Sequence, residues 1–254
     1  MWDALETYVK DIFCDLVDES DGVAKYRKYS EIFSYLWNKN NPPDIILRGW
    51  DAIEVKKIET MGSALALNSS YPKHKLYFDD TRIMNACRNC EIQPWSIKDI
   101  IYTIGVTPKG TNQIKALWFI YGDCYAADRE VYQKIADRIS DGIAEIWDID
   151  LTDTNELAGV KWVDPLGITN LRVRWMWQIE NPIKVFREVT NLNKDHKLTI
   201  NAILLEDKYL SFPKENRESL ESMQNAFFKI SDIEIKSPNN PARLLRAKFI
   251  HYAK

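Results

Sequence analysis

The sequence has no apolar run long enough to cross a membrane. Its longest apolar stretches, around Ile100–Val106 and Ala116–Tyr121, fall far short of the ~20 residues that span a bilayer. Cysteine is scarce: Cys14, Cys87, Cys90 and Cys124 are too few for a disulfide framework in a chain of 254 residues. The opening Met-Trp-Asp-Ala-Leu-Glu has no basic and no apolar leader region, so no secretory signal is expected and a reducing cytoplasm is the default. No glycine-rich Walker loop, internal repeat, low-complexity run or Cys–His nucleophile is present. Cys87-x-x-Cys90 lacks a second pair, and His74, His196 and His251 do not complete a ligand set, so no zinc is expected. A basic excess is missing as well. The 37 acids outnumber the 34 Lys and Arg, for a formal charge of −3, which taken alone argues against nucleic acid as a partner.

What is present is ordinary for a globular protein: 45% apolar and 28% charged residues. A chain of this length buries roughly 70–75% of its unfolded surface and needs no disulfide or structural metal to fold. Leu5, Tyr8, Val9, Ile12, Phe13 and Leu16 recur at helical spacing over residues 3–17. Residues 26–37 are apolar-rich and read as either helix or strand. Asp44–Leu47 and Ala52–Ile58 read as two strands joined by a turn holding Gly49, a β-hairpin. Leu65–Lys75 reads as polar and turn-prone. Asp99–Val106 and Ile114–Tyr121 read as buried strands joined by Thr107–Asn112. Arg129–Ile146 is expected to be helical, with Val131, Ile135, Ile139 and Ile143 on one stripe. Leu171–Trp177 and Leu198–Leu205 read as strands, Asn181–Val189 as a helix led by Pro182, and Ala242–Tyr252 as a C-terminal helix. Interleaved strands and helices predict a single mixed α/β domain over residues 1–254.

Chemistry concentrates in the hairpin, where Pro43-Asp44 is followed after nine residues by Glu54-Val55-Lys56. Cutting a phosphodiester calls for a hard divalent cation that takes oxygen ligands. Asp44 and Glu54 offer carboxylates from adjacent strands, and the Val55 carbonyl offers a third oxygen. Lys56 shares a face with Glu54, within reach of a metal-bound water and the scissile phosphate, where it orients or deprotonates the water and offsets developing charge. The spacing alone is weak, since chance yields it in roughly one chain in fifteen at ordinary residue frequencies. A solvated hairpin face is the commoner explanation of such a local pattern.

Longer strings carry a more specific signal: Ala4–Phe13, Asn41-Pro-Pro-Asp44, Asp51–Glu59, Ala64–Ser70, Lys98–Tyr102, Val163–Thr169, Leu171–Arg174, Ile179–Pro182 and Asn239–Ala242. Through them the sequence resembles, over nearly its whole length, the NgoPII family of type II restriction endonucleases, which carry the PD-(D/E)xK nuclease core. The resemblance implies an α/β restriction-endonuclease-like core, a central mixed β-sheet flanked by helices. The catalytic core is then expected at about residues 1–150, and DNA-recognition and dimer elements at about 151–254. It also implies Mg²⁺-dependent double-strand cleavage at a short palindrome, GGCC, leaving 5′-phosphate ends, with Mn²⁺ able to substitute. Asp44, Glu54 and Lys56 become the catalytic set, with Asp44, Glu54 and the Val55 carbonyl as metal ligands. Glu6 is a further metal-region candidate, because a helical glutamate often points there in this core. The chain departs from the family pattern after Arg174, where Trp175-Met-Trp-Gln178 replaces Gly-Met-Trp-Gly, so sequence preference is open to change. The first helix starts close to Met1, and a short N-terminal lead is expected to be lacking.

Other residues are candidate DNA contacts. Asn68, Ser69, Ser70 and Lys73 suit phosphate oxygens, although Asn and Ser also satisfy their own turns. Arg172 and Arg174 alternate on one strand face and suit guanine O6 and N7, against the alternative of a salt-bridged sheet. Trp177 suits DNA, a core or a dimer interface. Charge is uneven: residues 1–21 hold seven acids and one base, acids recur over Asp137–Glu156, and residues 236–254 hold five bases and no acid. The expected molecule is a prokaryotic cytoplasmic endonuclease, a homodimer on double-stranded DNA, with a cognate methyltransferase in the same host and no membrane association. The alternatives are a repair or junction nuclease with the same core, and a non-catalytic DNA-binding module.

Overall fold

The computed structural model describes residues 2–36, 41–111, 113–145, 157–161, 163–190 and 196–254. Helix α1 (Trp2–Cys14) is followed by α2 (Gly22–Ile32), whose first turn is capped by the Asp21 carboxylate accepting the Val23 N–H. The chain passes directly into β1 (Phe33–Leu36), then β2 (Ile45–Leu47) and β3 (Ala52–Ile58). Strands β4 (Leu65–Asn68) and β5 (Lys75–Tyr77) and helix α3 (Asn85–Arg88) lead to β6 (Ile97–Val106) and β7 (Ala116–Tyr121). Next come α4 (Gly122–Tyr125), α5 (Arg129–Ala144), β8 (Ala158–Val160), β9 (Leu171–Val173) and β10 (Trp177–Ile179). The chain ends with α6 (Pro182–Val185), α7 (Arg187–Thr190), β11 (Thr199–Leu205), α8 (Glu206–Ser211), α9 (Lys214–Ser222), β12 (Phe228–Lys236) and β13 (Leu244–Ala253).

Among the described residues the main sheet runs β1-β2-β3-β6-β7-β11-β13-β12, with β5 also paired to β6. The β3–β6 and β7–β11 pairs are parallel, and the other pairs of this sheet are antiparallel. This is the expected α/β core, a mixed sheet flanked by helices. Strands from beyond residue 151 continue the same sheet as the hairpin. Central strands are covered on both faces, so their apolar positions are nearly continuous: Ile45, Ile46, Ile53, Ile100, Ile104, Leu117, Trp118, Ile120 and Ile203 are all buried. Helix α1 lies close over β6 because Gly105 has no side chain; a methyl there would come 2.7 Å from the Leu5 side chain. Asp11 fixes α2 against α1 by accepting hydrogen bonds from Lys25 Nζ at 2.7 Å and from the Tyr29 hydroxyl.

Five sequence expectations change. The ambiguous run 26–37 is helix and then strand, α2 into β1. Leu65–Lys75 begins as a strand: Leu65 and Leu67 face inward, and β4 pairs with β10. Ala242–Tyr252 is strand rather than helix. Its buried Ala247, Phe249 and Ala253 fall on alternating positions, and β11 and β12 flank it on both edges, so pairing overrides local propensity. Leu171–Trp177 splits into β9 and β10, because β9 pairs with β8 while β10 pairs with β4. Helix α5 forms as expected, yet Val131, Ile135 and Ile139 are 50%, 46% and 41% exposed, so the stripe looks outward. Tyr132 sets that rotation by stacking on Tyr71, meeting Trp177 edge-on and accepting the Ala127 N–H. Trp37, Asn112, Ile146 and the acids between residues 147 and 156 lie outside the described residues.

Candidate active site

The hairpin forms around a tight turn in which Gly49 takes φ +72°, a left-handed conformation that glycine adopts without strain. Ile45 and Ile46 pair with Ile53 and Ala52, and the Asp44 N–H reaches the Ile53 carbonyl at 3.1 Å. Strand β2 begins after Asp44, so beyond Ile53 the β2-side edge of β3 has no ladder partner. Asp44 fills the gap: its Oδ2 accepts the Val55 N–H at 2.7 Å. A residue in a strand sends its N–H and C=O to the same side, so the Val55 carbonyl also projects toward Asp44.

Glu54 and Lys56 point from the opposite face to Ile53 and Val55. Glu54 is buried, and its Oε1 accepts from Lys56 Nζ at 2.6 Å. Glu54 Oε2 is buried with no hydrogen-bond partner among the described residues. The electrostatics follow from this crowding. Burial, then the neighbouring Glu54 carboxylate, push the Asp44 carboxyl up to about 8, against the pull of Lys56 and of the Val55 N–H. Burial works against the Lys56 ammonium, but Glu54 and Asp44 outweigh it and hold it above the usual lysine range. Two carboxyl groups and one ammonium therefore crowd a poorly solvated corner in which Asp44 keeps its proton well above the usual carboxylate range, and a hard cation would take that proton's place. Glu6 sits on α1, ion-paired to Lys10 at 3.3 Å, and its charge adds to the lift of Asp44, so it faces this corner.

The candidate DNA contacts are brought partly together. In the β4–β10 ladder Asn68 stands opposite Trp177, which places the polar 68–70 segment beside the strand that follows Arg172 and Arg174. Asn68 is exposed with φ 52°, and Ser69 is half-buried. Arg172 and Arg174 are exposed, the former opposite Gly159 in the β8–β9 ribbon. Lys73 and Trp177 are placed differently. Lys73 is 3% exposed, its ammonium paired with Asp80 and 4.6 Å from the Tyr71 ring centre, so its charge is met within the protein. Trp177 stacks on Trp175 and meets Tyr71 and Tyr132 edge-on, so its ring is an internal packing element.

Sequence reading missed the groups behind the hairpin. Lys208 on α8 bridges Asp51 and Asp99 at 2.9 and 2.6 Å, and Tyr121 donates to Asp51 at 2.8 Å. Lys75 pairs with Asp99 and, at 3.1 Å, with Asp123. Tyr102 is register partner to Glu54 across the parallel β3–β6 pair. No local signal reveals these partners, because each pair is far apart along the chain.

Comparison with known proteins gives the same direction. The model of the NgoPII restriction endonuclease family matches residues 1–236. The chain is 49% identical over 252 residues to the type II restriction enzyme NgoPII of Neisseria gonorrhoeae, an alignment covering 98% of this chain and 88% of that protein. No solved structure matches it.

Proposed function

Because this chain belongs to the NgoPII restriction endonuclease family, we propose that it is a type II restriction endonuclease cutting both strands of DNA at a short palindrome, GGCC, to leave 5′-phosphate ends. The observation that carries the assignment is the corner formed by Asp44, Glu54 and Lys56, with its unpartnered Glu54 oxygen. The donor set suits Mg²⁺, with Mn²⁺ as substitute: carboxylate oxygens of Asp44 and Glu54, the Val55 carbonyl, and Glu6 as a neighbouring charge. When bound, such an ion supplies a water of lowered pKa and a counter-charge to the phosphate.

The chain's own residues divide the remaining work. Asp44, tied to the Val55 N–H, holds one carboxylate oxygen fixed against β3. Lys56, held as an ammonium, donates a hydrogen bond to the attacking water or the phosphate and offsets negative charge in the transition state. In this environment it orients rather than deprotonates. Asn68, Ser69, Arg172 and Arg174 line the DNA side in our reading, the short polar groups on phosphates and the arginines on guanine edges. Two copies related by a two-fold axis match the two half-sites of a palindrome, each cutting one strand. A cognate methyltransferase protects the host's own sites.

Digestion of plasmid DNA of known sequence with Mg²⁺, followed by mapping of fragment ends, tests the reading. Discrete fragments ending within GGCC are expected; structure-dependent nicks or binding without cleavage would overturn it. Asp44→Ala and Lys56→Ala should each lower the cleavage rate by about a thousandfold or more while retaining DNA binding in Ca²⁺.

A further inference from the structure

We propose that Ser70 is a positioning residue for Glu54: one water held between Ser70 Oγ, Tyr102 Oη and Glu54 Oε2 fixes the plane of the Glu54 carboxylate. The inference rests on the reading of Glu54 as a metal-holding residue. Two side-chain oxygens in this region are buried without a hydrogen-bond partner among the described residues, Glu54 Oε2 and Ser70 Oγ. Both residues line one small cavity of about 10 Å³, together with Tyr102. Tyr102 Oη accepts the Lys73 N–H at 2.7 Å, which leaves its own proton to donate. A space of this size holds about one water, and a buried water needs two to four polar partners. The residues lining the cavity carry three such groups: the Tyr102 hydroxyl as donor, the Glu54 oxygen as acceptor and the Ser70 hydroxyl as either.

The arrangement has a mechanical consequence. Among the described residues Glu54 Oε1 is anchored by Lys56 alone. When Lys56 turns to the phosphate, that anchor is released, and a carboxylate held nowhere else swings about its terminal torsion. The Ser70 side keeps the second oxygen in place. A hydroxyl buried against Glu54 is also badly sited for a phosphate, so Ser70 serves the carboxylate rather than the DNA.

Manganese binding to the full-length protein, followed by electron paramagnetic resonance of free Mn²⁺, tests this without turnover. Ser70→Ala is expected to weaken Mn²⁺ binding by about tenfold or more, the usual effect of removing a group that orients a ligand, with the melting temperature unchanged. Ser70→Thr, which keeps the hydroxyl, should stay within about threefold of the parent. If Ser70→Ala melts without a native transition, Ser70→Cys replaces it, with the same expectation. Parental Mn²⁺ affinity in the hydroxyl-free variant overturns the inference, and a loss confined to DNA affinity in Ca²⁺ would assign Ser70 to a phosphate instead. Glu54→Ala separates the two readings. It should abolish Mn²⁺ binding, and if it binds like the parent the metal assignment of Glu54 fails and the role of Ser70 with it.

Discussion

Asp44 is costly to the metal-free protein. Its carboxyl is pushed from 3.8 to about 8 by burial and by the Glu54 carboxylate, so the folded state binds a proton that the unfolded state has released at neutral pH. A carboxyl whose folded pKa is raised contributes stability that is complete below about pH 4 and declines as pH rises to about 8. Asp44→Asn keeps an acceptor for the Val55 N–H and removes the charge. The metal-free variant should therefore melt above the parent at pH 8, with the gap closing toward pH 5; calorimetry across that range checks the sign. An equal gap at both pH values would show that Asp44 is not strained by charge. The same shift means that cation binding displaces a proton, so apparent affinity for a divalent ion rises with pH below about 8.

At the scale of elements, the hairpin is held from behind. Strand β2 is three residues long and β3 pairs with it at only two positions, too little to fix the hairpin by itself. Helix α8 contributes Lys208, which clamps Asp51 at the start of β3 to Asp99 on β6. Breaking a buried pair leaves a carboxylate without its counter-charge. Lys208→Met should lower stability by roughly 2–4 kcal/mol, below the fully buried limit because the clamp keeps some contact with water. Urea unfolding measures it, and a change within about 0.5 kcal/mol would mean that the clamp is idle. The β4–β10 ladder does a comparable task for the polar 68–70 segment. It joins two segments more than a hundred residues apart and so sets the polar turn beside the strand that follows Arg172 and Arg174.

For the whole molecule, the formal charge of −3 excludes less than it first suggests. Several bases of the final segment are matched locally: Lys236 with Glu188, Lys248 with Asp232 and, more loosely at 3.9 Å, Arg246 with Glu206. The basic tail is therefore mostly an interior strand, paired on both sides, with several of its charges matched by acids, and a poor phosphate strip. Under the proposed function, the exposed Arg172 and Arg174 are expected to contribute to DNA binding. Each phosphate contact lowers log K by about 0.9 per decade of salt. Binding of a GGCC duplex in Ca²⁺ is expected to weaken from 50 to 200 mM salt, with Arg172→Ala or Arg174→Ala flattening preference for the site rather than only the salt slope. A salt-independent affinity would contradict electrostatic docking.

The sequence by itself determined the hairpin, its two carboxylates and lysine, the amphipathic α1, the buried β6 and β7, and the family. These rest on local information: alternation along a strand, a turn glycine, and unusual strings at fixed spacing. Only the tertiary structure decided that the C-terminal segment is a strand, that α5 turns its aliphatic stripe outward, that Lys73 and Trp177 pack inward, and that Ser70 and Tyr102 share a cavity with Glu54. Periodicity records that a residue is apolar or polar, whereas strand pairing and burial depend on partners distant in the chain. Glu54 illustrates both: its type and spacing were legible at once, and its unpartnered oxygen exists only because β3, β6 and the 68–73 segment close around it.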